Sequence, residues 1–230
     1  MRVIFIFITT IFYLNNSFSQ DTVERKDRLT DSVIERFYVL RSDPAIKQGP
    51  YHAIFRRKTF VAIGNYHNNK KTGVWQFFNT RGKLVEKYNY NTKRITLEAQ
   101  LSAEDDLTFL FDAHMDTTDK LTRPLKIGGS YYGFIPYVNA FQVPFDTFDT
   151  NTNSFMVYIE LLISPLGRLA DYKVHLKSLI YNYNQSFNLD VNLFSEEDRT
   201  FIPATLNGEP ILSRIIIKCF VKDDGRLDFY

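Results

Sequence analysis

A stretch that repeats itself after 24 residues constrains the fold of this chain more than any other feature. Gly49-Pro50-Tyr51 recurs as Gly73-Val74-Trp75. In the same register Ile54 meets Phe78, Phe60 meets Leu84, Val61 meets Val85, and Asn65-Tyr66 meets Asn89-Tyr90. A period of that length holds two short strands and two turns, so each unit is predicted to be a β-hairpin. Glycine permits the tight bend, and the aromatic residue two positions later packs across the ribbon onto the next unit. Asn68-Asn69-Lys70-Lys71 and Asn79-Thr80-Arg81-Gly82 supply polar turns between the strands.

The rest of the chain is also strand-like. Aromatics make up 16 % of the 230 residues, mostly Phe and Tyr, which favours strands over helices. A hydrophobic share of 44 % is enough for a real core. The formal net charge of +2 argues against a nucleic-acid binder, which needs a concentrated basic face. The short cluster Arg56-Arg57-Lys58 reads as a solvated turn. Cys219 is the only cysteine, so intramolecular disulfides and cysteine metal clusters are excluded; it shares a strand face with Ile215, Ile217 and Val221 and is expected to be buried. Asp112, His114 and Asp116 have a spacing that could gather three ligands on one side of a strand, but solvated linker residues are the preferred reading. His52, His67 and His175 have no partner in ligand spacing. No Gly-x-Ser-x-Gly, His-Glu-x-x-His or phosphate loop occurs, so neither metal nor cofactor is expected and the protein is read as non-enzymatic.

The first residues carry an export pattern. Arg2 opens it, Val3 to Leu14 form an apolar run, Asn15-Asn16 break the run, and Ser17-Phe18-Ser19 provide small residues for cleavage. The run is too short for a membrane-spanning helix, which needs about 20 apolar residues. The expected product is a periplasmic or secreted chain that starts near Gln20 and does not span the membrane.

Residues 1–19 are thus a cleaved signal peptide, and 20–46 form a segment with one strand, Ser32–Arg41, for which a short helix is the competing reading. Within it, Asp21–Thr30 is expected to be poorly ordered. Residues 47–94 hold the two repeats, and 95–123 form a linker containing one apolar strand, Leu107–Phe111. In 124–230, Phe155–Ile163 alternates around an apolar face, Ser164-Pro165-Leu166-Gly167 turns, and Arg168–Leu176 returns as the second strand of a hairpin. Tyr181–Glu197 contains four Asn and is a poor helix. Asn207-Gly208-Glu209-Pro210 turns into a last strand, Ile211–Val221.

Two resemblances follow from these residues. Gly64-Asn65-Tyr66, Lys70-Lys71-Thr72-Gly73-Val74-Trp75-Gln76-Phe77-Phe78 and Gly82-Lys83-Leu84 resemble the variant MORN repeats of bacterial proteins, over about 47–94. The first copy departs from that pattern, with Tyr51 in place of Trp and no Gly at Arg56-Arg57-Lys58. Two repeats are fewer than a free-standing array needs, so a neighbouring element must cap the ribbon. The second resemblance, over about 124–222, is to the C-terminal domain of TonB-like proteins. It rests on Gly128-Gly129, Val143-Pro144, Gly167, Leu189-Asp190 and Phe201-x-Pro203-Ala204-x-x-Asn207-Gly208-x-Pro210. Phe201 stands where that family has Trp, Tyr181–Phe187 looks like an insertion before the helix, and the sequence has neither an uncleaved anchor helix nor a Pro-rich arm.

Together the resemblances imply an α+β, predominantly β fold: a repeat β-hairpin ribbon followed by a small antiparallel three-stranded sheet with a helix. The TonB-like half implies capture of an extended partner segment at a sheet edge, in an accessory role to outer-membrane transport. The expected partner is an envelope protein, such as a segment of an outer-membrane receptor. By analogy the accepting edge is the terminal strand, with Ile211, Ile215, Ile216, Ile217 and Lys218, although Ile215 and Ile217 also read as core. The alternative is a structural or adaptor protein that docks through Trp75 and Phe77 of the ribbon. The antitoxin label carried by some MORN-repeat proteins comes from the repeat alone.

Overall fold

A computed structural model describes residues 21–101, 106–144 and 152–229. The signal peptide expected at 1–19 lies outside the described residues. Strands account for 55 % of the described residues and helices for 7 %, so cross-strand packing carries the core.

The first sheet is an antiparallel meander of seven strands whose spatial order follows the chain. These are β1 (Thr22–Arg28), β2 (Val33–Leu40), β3 (Lys47–Phe55), β4 (Thr59–His67), β5 (Lys70–Phe78), β6 (Leu84–Asn89) and β7 (Arg94–Glu98). Strand β2 matches the expectation for 32–41. Strand β1 corrects the expectation that Asp21–Thr30 is poorly ordered. It pairs with β2 along its whole length, from Thr22↔Leu40 to Arg28↔Ile34. An edge strand needs only backbone bonding, so the run Glu24–Arg28 stays in water while its backbone is paired.

The two repeat positions meet across β4. Tyr51 on β3 lies opposite Gly64 on β4, and its ring stacks on that of Trp75 on β5 at 5.1 Å. A Cβ on Gly64 would fall 2.2 Å from the indole, so only glycine lets the two rings close over the middle strand. Trp75 is fully buried and its Nε1 donates to the Asn65 carbonyl (3.2 Å).

The second sheet comprises β8 (Leu107–Phe111), β10 (Met156–Ile163), β11 (Leu169–Ser178), β12 (Tyr183–Leu189), β15 (Ser213–Val221) and β16 (Leu227–Phe229). Its order is β12-β11-β10-β15-β16, with β8 also paired to β15. A small third sheet joins β9 (Leu121–Thr122), β13 (Ala204–Leu206) and β14 (Glu209–Ile211). The expected hairpin is β10–β11, and Leu107–Phe111 is a strand as read. Residues 95–123 are more than a linker, however: β7 completes the first sheet and β8 joins the second.

The three-stranded sheet with a helix is likewise corrected. The only α-helix among the described residues is α1 (Ile135–Asn139). Where the TonB-like pattern places a helix, β12 follows and then a single 3-10 turn, Val191–Leu193. The cause is alternation: Tyr183, Phe187 and Leu189 pack inward while Asn184, Ser186 and Asn188 face water, a period of two that no helix accommodates.

The cores differ in origin. One gathers Val157, Ile159, Leu161, Tyr172, Val174, Ile215 and Ile217 with Phe134 and Tyr137. The other sits on the first sheet around Tyr51, Trp75 and Phe77, and is closed by Tyr131 and Ile135 from the chain between the sheets. That segment covers the aromatic face of the first sheet.

Candidate functional site

The terminal strand is not an edge. Along β15, Val157↔Cys219 through Ile163↔Ser213 pair it with β10. On its other side β8 covers Ser213–Ile217, and β16 covers Cys219–Val221. Even the backbone N–H of Lys218, between those two partners, donates to the Asp106 carbonyl (3.0 Å). Ile215 and Ile217 are fully buried, Ile216 is half-buried and the Lys218 side chain points to solvent. Ile211 belongs to β14, opposite Ala204. The physical reason is the apolar run itself. With Ser213, Ile215, Ile217, Cys219 and Val221 inside, β15 is the most buried strand position the sheet offers, and β8 arrives from the supposed linker to complete its ladder.

The open edge lies at the other end of the same sheet. Strand β12 pairs with β11 from Tyr172↔Leu189 to Ser178↔Tyr183 and has no strand on its outer side among the described residues. Its seven residues, Tyr-Asn-Gln-Ser-Phe-Asn-Leu, include no charge, no Pro and no Gly. Proteins usually blunt an edge with such residues or with a bulge, and β12 has none of these. Exposed apolar side chains flank it. Leu179 and Ile180 at the β11–β12 tip are 76 % and 74 % exposed, and Leu193 just beyond β12 is 68 % exposed.

A polar row holds β12 in place from the solvent side. Ser186 Oγ lies 2.8 Å from His175 Nδ1, His175 Nε2 lies 2.9 Å from a Glu160 carboxylate oxygen, and Arg214 Nε lies 3.2 Å from the other. These residues come from β12, β11, β10 and β15 in turn, so the row crosses four strands and fixes their register.

The glycine pair has a structural task at the contact between the sheets. The N–H groups of Gly128 and Gly129 donate to the two carboxylate oxygens of Glu86 on β6 (3.0 and 3.3 Å). Both glycines have positive φ, 128° and 70°. A Cβ on Gly128 would meet Gly133 Cα at 2.4 Å, so the turn admits no side chain. Burial pushes the Glu86 carboxyl up to about 7, against the two N–H bonds that favour its charged form.

Nearby, Lys126 is buried, and its Nζ donates to the carbonyls of Glu197 (2.6 Å), Asp198 (3.2 Å) and Thr200 (3.2 Å) over the ring of Phe201. Burial brings its ammonium down to about 8. The Glu197 carboxylate accepts from Lys71 Nζ (2.6 Å) and Tyr90 Oη (3.0 Å) of the first sheet, and Tyr51 Oη lies 2.9 Å from Tyr132 Oη. A cleft lined by Leu29, Lys71, Lys126, Tyr132, Glu197 and Asp198 marks this junction. Glu86, Lys126 and Glu197 had no signal in the sequence beyond the glycine pair that receives one of them.

The remaining motif residues are turns and joints. Gly49 begins the Tyr51 half of β3, Gly73 lies in β5, and Gly82 closes the β5–β6 turn with its N–H on the Asn79 carbonyl (2.9 Å). Pro203 and Ala204 lead into β13, Asn207 and Gly208 turn to β14, and Pro210 lies within β14. Asn207 also holds the chain before β9, accepting from Lys120 N (2.9 Å) and donating to Asp119 (2.7 Å). Asp112 pairs with Arg214 (3.4 Å) and His114 is almost fully exposed. Among the described residues no group of three His, Cys, Asp or Glu could hold a metal, and no helix is long and apolar enough to cross a membrane. Cys219 is buried, which pushes its thiol well above the usual range. No protein-family model, curated protein or solved structure matches the chain.

Proposed function

We propose that this is an exported, non-enzymatic binding protein of the cell envelope that takes up an extended segment of a partner by β-strand addition, with β12 as the receiving edge. The single observation that carries the reading is the state of that edge: seven residues, unpaired on the outer side among the described residues, uncharged, and bracketed by exposed Leu179, Ile180 and Leu193. Backbone N–H and C=O groups supply affinity in such a mode, and alternate side chains supply selectivity. The export pattern places the partner in the envelope, and the TonB-like motifs of 124–222 connect the protein with outer-membrane transport as an accessory. The MORN-like repeats serve in this reading as a cover for the junction segment. The adaptor alternative loses support because Trp75 and Phe77 are fully buried and present no docking surface.

Neighbouring residues of a strand direct their N–H groups to opposite sides, so proline at two successive positions must block the free side once. Gln185→Pro and Ser186→Pro are tested in the mature chain, with folding checked by circular dichroism. One of them should lose the envelope proteins that the parent retains in a pull-down, while Ser186→Thr keeps them. Two folded proline variants that both retain the parent's partners rule out β12 as the receiving edge.

A further inference from the structure

We infer that, when no partner occupies it, β12 pairs with β12 of a second copy of this chain across a two-fold axis through Ser186. The inference rests on the reading that β12 accepts a strand, and it names the strand accepted in the purified protein.

A two-fold contact requires a surface that complements itself. In an antiparallel pair the axis passes through a residue facing its own counterpart, whichever way the ladder bonds alternate. Centred on the middle residue of β12, that axis sets Tyr183 opposite Leu189, Asn184 opposite Asn188, and Gln185 opposite Phe187. Tyr183, Phe187 and Leu189 lie on the core side in both copies, so the apolar face continues across the junction. The outward amides of Asn184 and Asn188 are at once donors and acceptors and suit each other. With no charge on the strand, no like charges are brought together. The other sheet's edge β1 behaves oppositely, since a two-fold through its centre sets Arg25 against Arg25.

The ends of the strand point the same way. Beyond the paired residues, the axis lays the Leu179–Ile180 tip of one copy beside the turn at Val191–Leu193 of the other. The three most exposed aliphatic side chains around this edge, Leu179, Ile180 and Leu193, would cover each other twice in the dimer. An edge without charge, proline or bulge is thereby closed.

The test uses the purified mature chain alone. Ser186→Cys places two thiols on the axis, with Cα atoms about 4.5–5.5 Å apart, inside the range a disulfide spans. Asn188→Cys places them four residue rises apart, about 13 Å, beyond any bridge. Cys219 is buried and stays out of the reaction. Mild oxidation should give a disulfide-linked dimer band for Ser186→Cys that reductant removes, and none for Asn188→Cys. Light scattering of the parent should show a concentration-dependent doubling of mass, and Leu179→Asp should weaken it at least tenfold. Amide exchange in β12 of the unmodified chain should slow as concentration rises, which keeps the test open even if a cysteine variant fails to fold. A parent that remains single at every concentration, or a bridge at 188 in place of 186, overturns the inference. If the chain is single but a proline variant still loses its envelope partner, strand addition stands and self-pairing falls. A dimer bridged through 186 whose folded proline variants keep that partner has the reverse meaning.

Discussion

The two large sheets of this protein are assembled in opposite ways. In the first, every strand pairs with its neighbour in sequence, and the core is incomplete until Tyr131 and Ile135 close it. In the second, the central strand β15 is flanked by β10 and β8, both far away in sequence, while its core draws only on residues after 106. Their edges differ as well: β1 carries charge from Glu24 to Arg28, whereas β12 carries none. The local sheet is guarded yet depends on its neighbour, and the non-local sheet is self-sufficient yet, among the described residues, open beside β12. On the function proposed above, the receiving edge belongs to the second sheet.

The dependence of the first sheet on its aromatic stack gives the largest expected effect. Trp75→Ala should cost about 3–5 kcal/mol in denaturant unfolding, the usual range for a fully buried large aromatic. Gly64→Ala should cost about 1–3 kcal/mol by forcing a methyl group into the indole. Because both act on one space, Gly64→Ala in a Trp75→Ala background should cost under about 0.5 kcal/mol. Additive costs would mean that Gly64 is required for its backbone and not for the ring above it. Amide exchange in β10, β11 and β15 should change little in any of the three variants, since their core contains none of these residues.

Glu86 tests whether the sheets are coupled by a titrating group. Its carboxyl is raised from an ordinary 4.5 to about 7, first by burial. Between those values the folded chain holds a proton that the unfolded chain lacks, so stability increases as pH falls from about 7 to 4.5 and is flat above. The full shift corresponds to about 3 kcal/mol at most. Its charged neighbours are Glu98 and Arg123, and the lowered Lys126 acts in a separate window, from about 8 to its ordinary 10.5. Glu86→Gln should flatten the slope of stability between pH 4.5 and 7 relative to the parent. Equal slopes in parent and variant would place the coupling elsewhere.

The same contrast explains what could be read from the sequence. The β character of residues 47–94 and the β10–β11 hairpin were legible because their partners are neighbours, and alternation plus turn residues fixes such pairings. The place of β15 was not. An apolar strand at the end of a sequence looks the same whether its second side is open or covered, and what covers it, Leu107–Phe111, was visible only as an isolated strand. Strand β12 was obscured by a different cause: its Asn residues argue against helix and strand alike, and only its partner Tyr172–Ser178 decides the matter. The glycine pair was seen without its task, because Glu86 lies 42 residues earlier, on the first sheet, and no local pattern connects them.

The smallest expected effect concerns the exposed charges at the junction. Asp31, in the β1–β2 turn, accepts from Lys222 Nζ (2.7 Å) and Arg226 Nη2 (2.8 Å) at the β15–β16 turn, so it joins the two sheets as Glu86 does, but in water. The hydrogen bond from Lys222 holds its carboxyl below the ordinary range. The sign is therefore opposite to that of Glu86: the contribution is present above an ordinary 3.8 and is lost as pH falls through the lower folded value. With its side chain one-third exposed, solvent screens most of the gain, and Asp31→Asn should cost under about 1 kcal/mol. Added salt should shrink that difference further while leaving the Glu86→Gln difference almost unchanged, because salt screens exposed pairs more than buried groups. Ser32, whose Oγ donates to Asp228 (3.0 Å), maintains the same contact without an ion pair, so the turn should stay docked in the variant. A cost for Asp31→Asn as large as that of Glu86→Gln, and one that salt abolishes, would mean that surface charge holds the sheets together and that the buried carboxyl on its glycine pair does not.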